Sequence, residues 1–372
     1  ISSAYQLDYN AVSGCKSIKS VKLSERLIEI PSSCFQSCTS LESIDIPKGV
    51  KAINSSAFYA CESLVSVTLP EGLEKIDDSA FSICQRLKSI NIPSTVTEVG
   101  WNIIGNTAIY NSLTLENGVR YLDGWAVDVS VSDNVAFKEG TVGISRQILG
   151  AHPETVFIPK TVKYISKGGL QGASFSKSVK SYTVDPENPY FLSEDGVVYT
   201  KDKTELVAYP QNGDFIKYTV PEGVKTIRDR AFYNTNIEQI EFPDSLEYIG
   251  NRAFYYSTGL KSALLKENVK FIGDMAFGDC SNVDLGEIPS GLEQRQADAL
   301  FPGTHAGTAA DGRGHPEKRV SAGSGCGAGY ALAGELLPGG RSHPGTQRHL
   351  AQPREPPVPE LAQLFCLPDY AV

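Results

Sequence analysis

The sequence predicts a repeat solenoid of the α/β kind, strand-rich with short helical turns and about 22–23 residues per coil. Three observations predict it. Cys15, Cys38, Cys61 and Cys84 stand 23 residues apart, Phe35, Phe58 and Phe81 keep the same step, and so do Pro47, Pro70 and Pro93. The beat returns at Phe232, Phe254 and Phe277 with steps of 22 and 23. A period in the twenties is the mark of stacked coils, each too small to bury its own apolar residues.

One coil, residues 41–61, shows how each element arises. In Leu41-x-x-Ile44-x-Ile46, the two isoleucines fall on one face of a strand. Pro47 follows, lacks an N–H for the ladder, and ends that strand. Val50-x-x-Ile53 forms a second short apolar segment. Ala57-Phe58-x-x-Cys61 places Phe and Cys three apart, the spacing of one side of a helical turn. Stacking sets like on like, and each internal Leu, Ile or Phe gains roughly 1.5–3 kcal/mol by burial.

The pattern Ile46-Pro47, Val50, Ile53, Ala57-Phe58, Cys61, Leu64, Val67, Leu69 closely resembles the BspA-type leucine-rich repeat. The resemblance is tight over residues 12–100 and 216–291. It implies a right-handed leucine-rich-repeat solenoid. It also implies a bacterial surface or secreted protein with a part in adhesion and partner binding.

Four stretches follow from the rhythm: regular coils over 1–100, irregular coils with hairpin inserts over 101–215, regular coils over 216–291, and a degenerate tail over 292–372. In the middle, Asp123-Gly124 between alternating apolar residues reads as a hairpin turn within 117–129. A second insert, 188–210, reads as strands at Val197–Tyr199 and Leu206–Tyr209 about a turn at 201–204. After Gly291 the register fails, because position 295 is due an aliphatic residue and holds Arg295. Four of the five histidines and a Gly/Pro/Arg-rich composition follow. A disordered extension fits that composition, and so does an out-of-frame translation of repeat-coding DNA.

Charge and composition narrow the function. The net charge is −9, and no basic stripe marks a nucleic-acid partner. No apolar run reaches the ~20 residues that cross a bilayer. The chain opens inside a repeat, with Val12 and Cys15 on the Phe and Cys beats, so a signal peptide would lie outside it. The cysteine column also accepts Thr235 and Ser257, which points to small buried free thiols; a disulfide between stacked neighbours stays open. Cys34 and Cys38, a lone CxxxC, lack further ligands at metal spacing.

No motif argues for catalysis. Gly323–Gly327 mimics a dinucleotide loop without the strand and acid it needs. Cys326 with His343 and His349 could be drawn as a metal or nucleophile set, but nothing in a Gly/Pro-rich tail would hold it. Asp185, Glu187, Glu194 and Asp195 gather near one hairpin as solvated turn residues or a calcium contact. The expected chain is therefore not an enzyme and needs no cofactor or metal.

The best candidate surface alternates with the core along the first strand. Its serine column (Ser20, Ser43, Ser66, Ser89) reads as structural. The neighbouring column, Lys22, Asp45, Thr68, Asn91, Thr183, Glu241 and Leu264, varies in charge and size as a contact surface would. The leading expectation is a non-enzymatic, adhesin-like surface or secreted protein whose partner is another protein. A carbohydrate-binding module using Trp125 and Tyr190 of the middle inserts is the alternative, and a structural spacer is the third.

Overall fold

A computed structural model describes residues 6–130, 134–149, 153–171, 179–213 and 216–292. The tail beyond 292, with the Gly323–Gly327 loop, Cys326, His343 and His349, lies outside the described residues.

Each coil contributes to two parallel ladders. The first ladder carries Ser20–Val21 on Ser43–Ile44, and Ser66–Val67 on Ser89–Ile90. It continues as Asn134–Ala136, Thr155–Ile158 and Ser181–Val184, then as Lys217–Thr219 and Gln239–Glu241. Single bridges extend it to Ser262 and Asp284. The second ladder runs Glu29–Ile30, Ala52–Ile53, Lys75–Ile76, Glu98–Val99, and is resumed by Gly143–Ile144 and Tyr164–Ile165, then by Glu205–Ala208, Thr226–Ile227, Tyr248–Ile249 and Phe271–Ile272. The strands are mostly two residues long because a proline or a turn ends each one. Pro47, Pro70 and Pro93 each accept the N–H of the residue three further on, Val50, Leu73 and Val96.

The third side of the coil is where the structure refines the sequence reading. The Ala-Phe-x-x-Cys segment is a run of reverse turns. Ala57 N bonds Asn54 O, Tyr59 N bonds Ser56 O, and Cys61 N bonds Phe58 O. Ser56 and Ala60 both sit at φ 57°, a left-handed conformation that costs about 1–2 kcal/mol per residue. The compensation comes from the neighbouring coil: Ser56, Phe58 and Ala60 donate to Asp78, Ala80 and Ser82 of the next coil, at 2.8–2.9 Å. An α-helix would have consumed those N–H groups internally. Among the described residues one short α-helix is found, Ala108–Ser112, capped by Thr107, whose hydroxyl accepts Tyr110 N at 3.1 Å.

Stacking of like residues holds along the runs. Phe35, Phe58 and Phe81 are face to face at 5.2 and 5.1 Å, and Phe232, Phe254 and Phe277 at 4.8 and 4.9 Å. Tyr209 takes the Phe place at the start of the second stack, 4.7 Å from Phe232.

The inserts do more than decorate. The hairpin Val119–Leu122/Trp125–Val129 turns at Asp123 and Gly124, both at positive φ, as the Asp-Gly signal predicts. Its outgoing strand puts Trp125 and Val127 into the first core and Ala126 and Val129 into a second. The other insert is a meander of three strands, Phe191–Glu194, Val197–Thr200 and Glu205–Ala208. Val198 faces the second core, while Val197 and Tyr199 face a third. Both inserts are therefore walls, apolar on two faces, that divide the interior into three cores. The expected strands at 197–199 and 206–209 are two of its three; the signal for the remaining one is Asp195-Gly196, a further turn at positive φ.

The cysteine column is built of free, buried thiols. Cys38, Cys61, Cys84 and Cys280 donate from Sγ to the carbonyls of Val12, Phe35, Phe58 and Phe254, each at 3.1 Å. Ser257 does the same to Phe232 at 2.7 Å. The column accepts Cys or Ser because it needs a small side chain with a donor.

Candidate binding surfaces

Strand alternation places the candidate column on the outside of the first ladder. Lys22, Asp45, Thr68, Thr183 and Glu241 are exposed. The flanking Ser20, Ser43, Ser66 and Ser89 are exposed too, in register from coil to coil. Asn91 differs. It is half-buried, and its amide clasps the backbone of Leu69, accepting from N at 2.8 Å and donating to O at 3.1 Å. Its side chain extends the ladder, so its contribution to a contact surface is limited. Glu241 is held by Lys217 at 2.7 Å and Thr219 at 2.8 Å, and the hydrogen bond from Lys217 lowers its pKa.

The register of the middle run adds a residue outside the expected column. Phe157 pairs with Thr183 and is exposed, although its neighbours Val156 and Ile158 are buried. Alternation within Thr155–Ile158 was the available signal. Leu264 is also exposed, one coil beyond Glu241.

Trp125 and Tyr190 separate. Trp125 is only 2% exposed and stacks on Tyr164 at 6.0 Å. A ring buried in this way cannot stack on a sugar, so the expected sugar-facing role does not fit it. Burial follows from its position on a two-faced wall. Tyr190 is exposed, and Lys163 Nζ stands 6.0 Å from its ring and 5.0 Å from that of Tyr164.

The carboxylates near the second insert are engaged in local contacts. Asp185 accepts the N–H of Glu187, Glu187 pairs with Lys160, and Glu194 pairs with Lys203. Among the described residues, no group of three His, Cys, Asp or Glu side chains is arranged to hold a metal ion. Among the same residues, no helix is long and apolar enough to cross a membrane.

Parallel ladders, two Phe stacks and a column of small Cys, Ser and Thr side chains define a leucine-rich-repeat solenoid. The BspA type leucine rich repeat region matches in 6 copies over residues 5–134 and 207–304. The chain belongs to that family, whose repeats are generally non-catalytic. No curated protein matches the chain. Among solved structures it is similar to a leucine-rich repeat protein from Eubacterium ventriosum, at 22% identity over 70% of this chain and 60% of that one, TM-score 0.40. It is also similar to a leucine rich cell surface protein from Faecalibacterium prausnitzii, at 21% identity over 76% of each chain, TM-score 0.37. The pneumococcal vaccine antigen PcpA aligns at 23% identity over 69% of this chain and 58% of that one, TM-score 0.29. The chain thus spans 60% of the first of these structures.

Proposed function

We propose that this chain is a non-enzymatic binding protein of a bacterial surface or secreted space, adhesin-like, with a protein as partner. The observation that carries the reading is the outer face of the first ladder. Side chains of both charges, hydroxyls and the apolar Phe157 and Leu264 recur there at coil spacing, each turned away from the core. Such a face binds through many small contacts spread over a long surface. The cell-surface description of the Faecalibacterium relative is consistent with the location.

The test is binding of the full chain to a panel of purified extracellular-matrix proteins. Asp45→Ala, Thr68→Ala, Phe157→Ala and Glu241→Ala, combined, should weaken a bound partner without shifting thermal unfolding. A partner whose affinity ignores all four substitutions would refute the assignment to this face. The glycan alternative keeps Tyr190, whose exposed ring beside Lys163 is available, and loses Trp125.

A further inference from the structure

The second ladder holds a separate feature where the three runs of coils meet. Arg146 of the middle run reaches back to Glu98 at 2.7 Å and Asp78 at 3.0 Å in the first. Arg228 of the last run reaches Ile165 O of the middle run at 3.4 Å. Between these contacts lies an open cleft of about 430 Å3, within the size range of small-ligand sites. Glu98 stands on one side, Ser166 and Lys167 belong to the middle run, and Glu205, Tyr248 and Phe271 line the last.

Two observations define the chemistry. First, Tyr248 and Phe271 are register partners on neighbouring strands, with ring centres 6.4 Å apart and planes tilted by 40°. They remain 44% and 39% exposed, so the core does not account for them. The same ladder carries Ala52, Lys75 and Glu98 at these positions in the first run. Second, two of the three carboxylates that line the cleft are ion-paired. Glu98 is bound by Arg146, Glu205 by Arg228 at 2.5 Å, and Asp229 accepts Asn251 N at 3.0 Å. A cationic ligand would have to displace Arg146 and Arg228, and an anionic one would meet the carboxylates of Glu98, Glu205 and Asp229. A neutral polyhydroxyl ligand avoids both obstacles, because paired carboxylates keep lone pairs free to accept hydroxyl protons.

We propose that this cleft binds a neutral carbohydrate. Tyr248 and Phe271 form the platform for the apolar faces of the sugar rings. Glu98, Glu205, Arg228 and the hydroxyl of Thr226 form the polar fringe. The site lies on the second ladder, away from the face assigned to a protein partner, and stands or falls independently of that assignment.

The experiment titrates the full chain with neutral tri- to hexasaccharides, and in parallel with a sialylated oligosaccharide and an oligolysine peptide. A neutral sugar should bind. Tyr248→Ala and Phe271→Ala should each weaken it about tenfold, while Tyr248→Phe, which keeps the ring, should retain most of the affinity. Circular dichroism and the melting temperature should match wild type in all three, since both rings are exposed. No binding of any neutral sugar would overturn the proposal. So would a sugar whose affinity is unchanged by both alanine variants, or binding of the charged probes alone.

Discussion

The thiol of Cys61 donates to the carbonyl of Phe35 in the preceding coil, at 3.1 Å. The same bond recurs along the column, and Ser257 makes it with a hydroxyl. Cys61→Ser should therefore stay within about 1 kcal/mol of wild type. Cys61→Ala removes the donor and should cost about 1 kcal/mol, and Cys61→Val should cost about 1–3 kcal/mol by overpacking. Urea unfolding of the three variants checks the order. Equal losses for Ser and Ala would show that the donor is irrelevant.

Trp125 spans its register partner Gly143. A Cβ on Gly143 would lie 2.6 Å from the indole ring. The glycine is there to admit the ring, which closes the first core against the hairpin wall. Trp125→Ala should cost about 3–5 kcal/mol, and Gly143→Val should also destabilise by displacing the indole. Denaturant midpoints test both. Stability unchanged in Trp125→Ala would mean that the wall is not part of the folded core.

Buried thiols make the fold sensitive to alkali. Burial raises the pKa of Cys34 from 9.0 to about 12, with the nearby Cys38 adding to the shift, and burial likewise raises Cys280 to about 12. Between pH 9 and 12 the unfolded chain has lost these protons while the folded chain keeps them. Stability is fully present below pH 9 and falls as pH rises, by about 1.4 kcal/mol per pH unit for each thiol. Cys280→Ser should flatten that slope when unfolding is followed under reducing conditions. An identical slope in the variant would remove Cys280 as a cause.

The loss of register at Arg295 makes a prediction about the coding DNA. Read one base later, the codons of Ala310, Arg313, His315, Pro316 and Arg319 can spell Leu, Val, Ile, Pro and Val. Each new triplet takes the last two bases of one codon and the first base of the next: CTG, GTG, ATC, CCG and GTG. Their spacing is that of Leu41, Ile44, Ile46, Pro47 and Val50. The codons should therefore be GCT, CGT, CAT, CCC and CGT. Sequencing the DNA decides it, and a CAC codon for His315, which would read Thr in the shifted frame, would count directly against a shift.

Much of the architecture was legible because stacking is a local rule applied repeatedly. Phe58 meets Phe35 and Phe81 since all three share one place in their coils. Asp123-Gly124 disclosed its hairpin through backbone preference alone. Other features were hidden. The sequence shows that the Cys column prefers small residues, but the carbonyl it serves belongs to another coil. Trp125 and Tyr190 look alike in a sequence, yet one is enclosed and the other exposed, since each depends on which face of its insert meets a core.

The sequence by itself determined the coil, its period, its apolar columns and the alternation that turns Lys22, Asp45 and Thr68 outward. These follow from side-chain size and backbone geometry within some 23 residues. Only the tertiary structure decided that the inserts divide the interior into three cores, and that Glu98, Ser166 and Tyr248 border one cleft. Those relationships join residues far apart in the chain, and their geometry is set by how two-faced strands pack between successive runs.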